Sequence, residues 1–181
     1  MRLFLAITPP PSVRHALLNL QPPPHAKLKP SRDEQLHLTL HFLGNSDPDA
    51  LHKLLTPVKF TSFDIEINHL GSFGGKQKNG VLWAGFAKCN ALEVLRQKLA
   101  TGLGQQIEVS EMRNYKPHIT LARSRPGYPA TALNNFLAQF VAPLKFTVTE
   151  FALYNSITHP CGAQYLKLAS YPAGLEATTK Q

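Results

Sequence analysis

The chain has 181 residues, 43% hydrophobic and 17% charged, with 19 Lys and Arg against 11 Asp and Glu. That size and balance describe one globular domain, long enough to bury a core without covalent staples, and exclude a disordered polyelectrolyte. The formal charge of +8 favours polyanionic partners such as RNA or nucleotides, and the two cysteines, Cys89 and Cys161, make neither a disulfide framework nor a metal-type spacing.

No apolar run approaches a membrane span and no leader precedes the first strand, so a reduced, cytoplasmic protein with no membrane attachment is expected. Arg2 to Thr8 reads as a core strand. Ser12 is the expected N-cap of a helix whose Val13, Ala16, Leu17 and Leu20 recur at helical spacing, and Gln21-Pro22-Pro23-Pro24 stops it. His25 to Gln35 is a polar loop or short edge segment. A strand over Leu36–Leu43 ends at Gly44-Asn45. Asp47-Pro48 opens a second helix with Leu51, Leu54 and Leu55 on its apolar side. Phe63 to Ile67 alternates as a strand, Gly71 to Gly80 is a Gly- and Lys-rich hairpin loop with Phe73, Lys76 and Lys78, and Val81 to Ala87 returns. Asn90, as N-cap, begins a helix to Thr101 with Leu92, Leu95 and Leu99 on one face. A polar loop leads to Lys116-Pro117 and a strand over His118–Arg123. Pro126 to Pro129 is a turn, Thr131 to Phe140 a short helix, Lys145 to Tyr154 one long strand, and Gln164 to Ala169 its hairpin partner. The polar tail from Ala173 is expected to fray. The order is α+β: two pseudo-symmetric lobes of antiparallel sheet with outer helices around a central groove, in a single domain over 1–181.

The chemistry gathers on a repeated tetrapeptide. His37-Leu38-Thr39-Leu40 and His118-Ile119-Thr120-Leu121 both read His-x-Thr-Leu with an aliphatic residue at x. Strand alternation puts the imidazole and hydroxyl on one face and the aliphatic pair on the other. Side chains two apart lie roughly 7 Å apart along a strand, so both reach one phosphate-sized group. One such tetrapeptide is more often a structural histidine on an ordinary strand. Two copies at corresponding points of two similar halves favour one pocket with two imidazoles, His37 and His118, and two hydroxyls, Thr39 and Thr120.

Histidine titrates near pH 6.5, so such a pair holds one ring neutral and one charged at neutral pH, as base and acid. Hydroxyls and cations around the pair suit the charge of a phosphodiester. No metal is expected. His37 and His41 have a spacing that serves ligands on a helix rather than a strand, and Asp33 and Glu34 lie in a loop. Nucleophile-elbow, phosphate-loop and dinucleotide-binding motifs are missing from the sequence. His41 shares the polar face with His37 by alternation and borders the groove on that reading. Trp83 reads as core or rim, and His15, His25, His52, His69 and His159 as surface residues.

The stretches His37-Leu38-Thr39-Leu40-His41-Phe42-Leu43-Gly44 and Tyr115-Lys116-Pro117-His118-Ile119-Thr120-Leu121-Ala122-Arg123 resemble the paired signatures of the two-histidine phosphoesterase superfamily, and within it the bacterial RNA 2′,3′-cyclic phosphodiesterases, also called 2′-5′ RNA ligases. Arg2-Leu3-Phe4-Leu5-Ala6-Ile7, Val81-Leu82-Trp83 and Thr149-Glu150-Phe151-Ala152-Leu153-Tyr154 extend the resemblance over nearly the whole chain. It implies hydrolysis of an RNA 2′,3′-cyclic phosphate end to a 2′-phosphate, with weak reversible 2′-5′ ligation in some members. No cofactor is expected, and a monomer is expected because the two motifs complete a site within one chain. The resemblance implies His37 as general acid toward the 3′-oxygen, His118 as base on water, and Thr39 and Thr120 on the nonbridging oxygens. Arg123 matches a phosphate-assisting position and Phe42 one that stacks a terminal base. Strict alternation puts Arg123 opposite His118, so a bulge or the strand end must turn it inward; the same holds for Phe42. Tyr115 and Lys116 stand next to the second signature as further substrate contacts. A phosphodiesterase on small nucleotides (cyclic ADP-ribose phosphates or 2′-5′ oligonucleotides) and a noncatalytic RNA-binding module remain the alternatives.

Overall fold

The computed structural model describes residues 1–74, 78–104, 115–159 and 162–174. In chain order it contains β1 (Arg2–Ile7), α1 (Pro11–Asn19), β2 (Leu28–Pro30), a 3-10 turn (Asp33–Gln35), β3 (Leu38–Asn45), α2 (Pro48–Leu55), β4 (Phe63–Phe73), β5 (Gly80–Phe86), α3 (Asn90–Leu103), β6 (His118–Ser124), α4 (Ala130–Leu137), β7 (Leu144–Val148), β8 (Glu150–His159) and β9 (Gly162–Pro172). The strands form one antiparallel sheet in the order β7-β4-β5-β6-β3-β1-β8-β9, with β2 added on β6. Two four-strand halves meet in the middle, each with a His-x-Thr-Leu segment on its inner strand. They are joined there by a single register pair, Leu38 opposite Ile119.

Alternation sorts the side chains. Leu3, Leu5 and Ile7 of β1, Leu38 and Leu40 of β3, and Ile119 and Leu121 of β6 are buried in a core completed by Leu17 of α1, Leu55 of α2, Leu99 of α3 and Phe136 of α4. Each such side chain contributes about 1.5–3 kcal/mol by leaving water. The opposite face of β1 and β8 carries a small aromatic cluster of Phe4, Ala6, Ala152 and Tyr154, with Tyr165 of β9 against it. The sheet is thus apolar toward the helices and mixed aromatic and polar toward the groove, in agreement with the α+β reading.

Several local expectations change. Pro10, not Ser12, occupies the N-cap of α1, since Pro11 is already suited to the first helical position. Cys89, not Asn90, caps α3, whereas Asp47 caps α2 by accepting from the Asp49 amide. Leu54 is exposed, at 39%, between the buried Leu51 and Leu55. β4 extends to Phe73, so the hairpin loop is shorter than Gly71–Gly80. The expected long strand over Lys145–Tyr154 is two strands on opposite halves of the sheet: β7 pairs with β4, and β8 with β1 and β9. The break at Thr149 carries the chain from one half to the other, and the core-facing positions change from Phe146 and Val148 to Phe151 and Leu153 across it. Lys76, Cys161, most of the polar loop before Tyr115 and the tail beyond Gly174 lie outside the described residues. Among those described, no helix is long and apolar enough to cross a membrane.

Candidate active site

Beyond Leu38 and Ile119 the two inner strands separate, and the gap becomes the floor of a groove of about 380 Å³. His37, Thr39 and Phe42 line it from one strand and His118, Thr120 and Arg123 from the other. Both triplets depend on a bulge. In β3, Thr39 stands opposite Ala6 and His41 opposite Leu5, so Leu40 is the extra residue. In β6, Thr120 stands opposite Trp83 and Ala122 opposite Leu82, so Leu121 is extra. A bulge resets alternation by one residue. It turns Phe42 and Arg123 into the groove, and His41 and Ala122 away from it.

His41 therefore does not border the groove. It is 1% exposed on the helix side, and its Nε2–H donates to the Arg96 carbonyl at 3.0 Å. Tyr115 also lies behind the floor: its hydroxyl donates to the Thr39 carbonyl at 2.8 Å, and its ring supports the Arg96 guanidinium. The Lys116 side chain is exposed and is not among the lining residues; its carbonyl is what reaches the site.

That carbonyl accepts from His118 Nδ1 at 2.7 Å, and the Gln35 carbonyl accepts from His37 Nδ1 at 2.8 Å. In both cases the acceptor belongs to the residue two before the histidine. Each bond fixes the proton on Nδ1 and leaves Nε2 to exchange a proton in the groove. Phe4 and Tyr165 flank the His37 ring, each with centroid 4.9 Å away, and Phe73 meets His118 edge-on at 5.0 Å. Trp83 lies buried beside His118. Burial lowers the His37 pKa from about 6.5 to about 4, with His118 and Arg123 adding to the effect; burial and then Arg123 lower His118 as well. Both rings are therefore pushed toward the neutral form.

Other lining residues went unrecognised in the sequence: Arg2 and Phe4 of β1, Lys29 of β2, Gln35, and Ser156 and Tyr165 of the β8–β9 hairpin. Alternation of Arg2, Phe4 and Ala6 was the available signal. Lys29 stands opposite Arg123 and shares its face, a pairing that only the fold reveals. Among the described residues, the lining includes Arg2, Lys29 and Arg123 and no carboxylate. Asp33 and Glu34 are engaged by Arg14 and Arg32 instead. Of the other histidines, His15, His25, His52 and His69 are exposed.

Two imidazoles that present Nε2, two hydroxyls and a cationic rim thus meet in one groove of a split antiparallel sheet, an arrangement chemically suited to a phosphoester. Residues 9–159 match the model of the 2'-5' RNA ligase superfamily, and the chain belongs to that family. It is 30% identical to a Methanocaldococcus jannaschii protein named RNA 2',3'-cyclic phosphodiesterase, covering 91% of this chain and 96% of that one. A Thermus thermophilus protein of the same name is 33% identical over 94% of this chain and 89% of its own. The fold matches Escherichia coli LigT in its apo form with a TM-score of 0.76, at 25% identity and covering 96% and 98% of the two chains.

Proposed function

We propose that the protein is a metal-independent RNA 2′,3′-cyclic phosphodiesterase that opens the cyclic phosphate at an RNA 3′ end to a 2′-phosphate. The observation that carries this reading is the matched pair of imidazoles, each anchored through Nδ1 and each offering Nε2 to one cation-rimmed groove. The names of the curated relatives support the same reaction.

His118 Nε2 takes a proton from water, whose oxygen bonds to phosphorus. The bond from phosphorus to the 3′-oxygen breaks, and that oxygen takes the proton of His37 Nε2. Each transfer contributes roughly 10²- to 10⁴-fold. Thr39, Thr120 and Arg123 donate to the nonbridging oxygens, where charge accumulates. The anionic diester favours a charged ring beside it and raises the depressed imidazole pKa on binding. The chemistry around each ring supports this choice of roles. Phe42 and Tyr165 stand on the His37 side and suit a nucleoside, which brings the 3′-oxygen to His37. Arg123 stands on the other strand, where the water enters. An RNA 5′-hydroxyl in place of water gives the weak, reversible 2′-5′ ligation. One chain completes the site, so a monomer suffices.

The test is product analysis of a short RNA ending in a 2′,3′-cyclic phosphate, incubated in excess chelator. A 2′-phosphate end is the expected product. A 3′-phosphate product, or a requirement for added metal, overturns the mechanism. Binding without conversion transfers the assignment to a small cyclic nucleotide or to a noncatalytic RNA binder.

A further inference from the structure

The two bulges are held in the same way by unrelated parts of the chain. A bulge leaves carbonyls outside the sheet ladder, and a buried carbonyl without a donor is costly. At β3, the Thr39 carbonyl accepts from the Tyr115 hydroxyl at 2.8 Å and the Leu40 carbonyl from Arg96 Nε at 3.0 Å. At β6, the Thr120 carbonyl accepts from the Ser31 hydroxyl at 2.8 Å, and the Leu121 carbonyl from the Ser31 amide at 2.8 Å and from Gln21 Nε2 at 2.9 Å. The braced positions correspond: the Thr and the final Leu of each tetrapeptide. The braces themselves come from α3, the segment before β6, the segment after α1 and the segment after β2. Arg96 is only 6% exposed, lies 3.4 Å from the Tyr115 ring centroid and receives a bond from His41 on its own carbonyl.

We propose that Tyr115 with Arg96, and Gln21 with Ser31, are positioning residues that fix the two bulges and so set the separation of the Thr39 and Thr120 fronts. None of the four is assigned a proton-transfer step. They act through the main chain, at the place where the halves are joined by one register pair and a sheet ladder cannot set the spacing. A phosphate bridging both fronts senses that spacing. The inference rests on the reading of the groove as a phosphate site, but not on the reaction carried out there.

The experiment titrates inorganic phosphate into the ¹⁵N-histidine-labelled full chain and follows the His37 and His118 rings by NMR. Wild type is expected to show both rings shifting together with one dissociation constant. Tyr115→Phe and Gln21→Met are each expected to weaken that constant by about fivefold or more, the share of one or two hydrogen bonds. Tyr171→Phe is the matched control. It removes a hydroxyl that bonds His52 Nδ1 at 3.0 Å away from the groove, and leaves phosphate binding at the wild-type value. If Tyr115→Phe and Gln21→Met bind phosphate like wild type, or no more weakly than Tyr171→Phe, the positioning role is overturned and the site reading stands. If wild type shows no joint response of the two rings, the site reading fails, and the positioning role with it.

Discussion

Replacing Arg123 by Met separates two effects of one cation. Arg123 reaches the groove only because of the Leu121 bulge, and it lowers the pKa of both His37 and His118. Its first effect is on the phosphoryl oxygen. A hydrogen bond to a charged group contributes about 1.5–3 kcal/mol, so kcat/KM should fall roughly 10- to 150-fold at 1.36 kcal/mol per tenfold. Its second effect has a definite sign. On the proposed mechanism the working state needs one charged and one neutral ring, and kcat/KM reports the free enzyme. The alkaline limb is therefore set where the charged ring is lost, at a pH below the ordinary 6.5 because both pKa values are depressed. Without Arg123 both values rise, and the limb moves to higher pH even as the maximum rate falls. The assay is a pH series of kcat/KM on a cyclic-phosphate RNA at constant ionic strength, since the screening length is only about 8–10 Å. A lower rate with a limb that stays in place, or moves down, would refute the idea that Arg123 faces both rings.

His37→Asn and His118→Asn should each lower kcat by roughly 10²- to 10⁴-fold, while fluorescence anisotropy shows retained binding of an RNA with a 3′-phosphate. A single variant near full activity would disprove the paired mechanism. Phe42, 57% exposed in the groove, should act on binding alone. Base stacking is worth about 1–3 kcal/mol, so Phe42→Ala should raise KM several-fold or more with kcat little changed, and an abasic cyclic phosphate should not distinguish it from wild type. His41 predicts acid sensitivity. Burial lowers its pKa from 6.5 to about 4, so the unfolded chain binds the proton first as pH falls. The stability it contributes is complete above pH 6.5 and is lost toward pH 4, by up to about 3 kcal/mol. Urea unfolding at pH 7 and pH 4.5 should show that loss, and His41→Asn should show less of it; equal losses would remove His41 as the cause.

The paired motif, the α+β class and the two-lobed layout were legible because each rests on a local pattern. His37, Thr39, His118 and Thr120 line the groove as alternation requires, up to the bulges. Alternation fails at the next residue on each strand. His41 reads as a polar-face residue only if Leu40 keeps the period, and nothing in Leu40 announces a bulge. Arg123 and Phe42 were recognised by resemblance, and the bulge supplies the physical reason they face inward. Tyr115 was legible as important and misplaced as to side, because a residue outside a strand has no period to follow. Lys29, Gln21 and Ser31 act through segments paired across long stretches of sequence, which composition and spacing do not encode. The Thr149 crossover was hidden for another reason: Phe151-Ala152-Leu153-Tyr154 is apolar on both faces, which masks the change of phase from Phe146 and Val148 to Phe151 and Leu153.

On the proposed mechanism, the bulges also explain how a nearly symmetric scaffold supports a directional reaction. Up to the final Leu of each tetrapeptide the two fronts are chemically equivalent: imidazole, hydroxyl, and an Nδ1 bond to a carbonyl two residues back. Such a pair alone has no preferred direction for proton transfer. The first groove-facing residue past each bulge breaks the equivalence, with an aromatic ring at Phe42 and a guanidinium at Arg123. A nucleoside gains by stacking on one side and loses by displacing water from a cation on the other, so it enters in one orientation. That orientation, not an intrinsic difference between the rings, decides which imidazole meets the leaving oxygen. Exchanging the two residues, Phe42→Arg with Arg123→Phe, should therefore reverse the orientation and with it the roles of the two rings. A 3′-bridging sulfur leaves without a proton, so it should rescue His37→Asn in the parent protein but His118→Asn in the exchanged one. Rescue of His37→Asn in both would show that direction is set elsewhere in the groove.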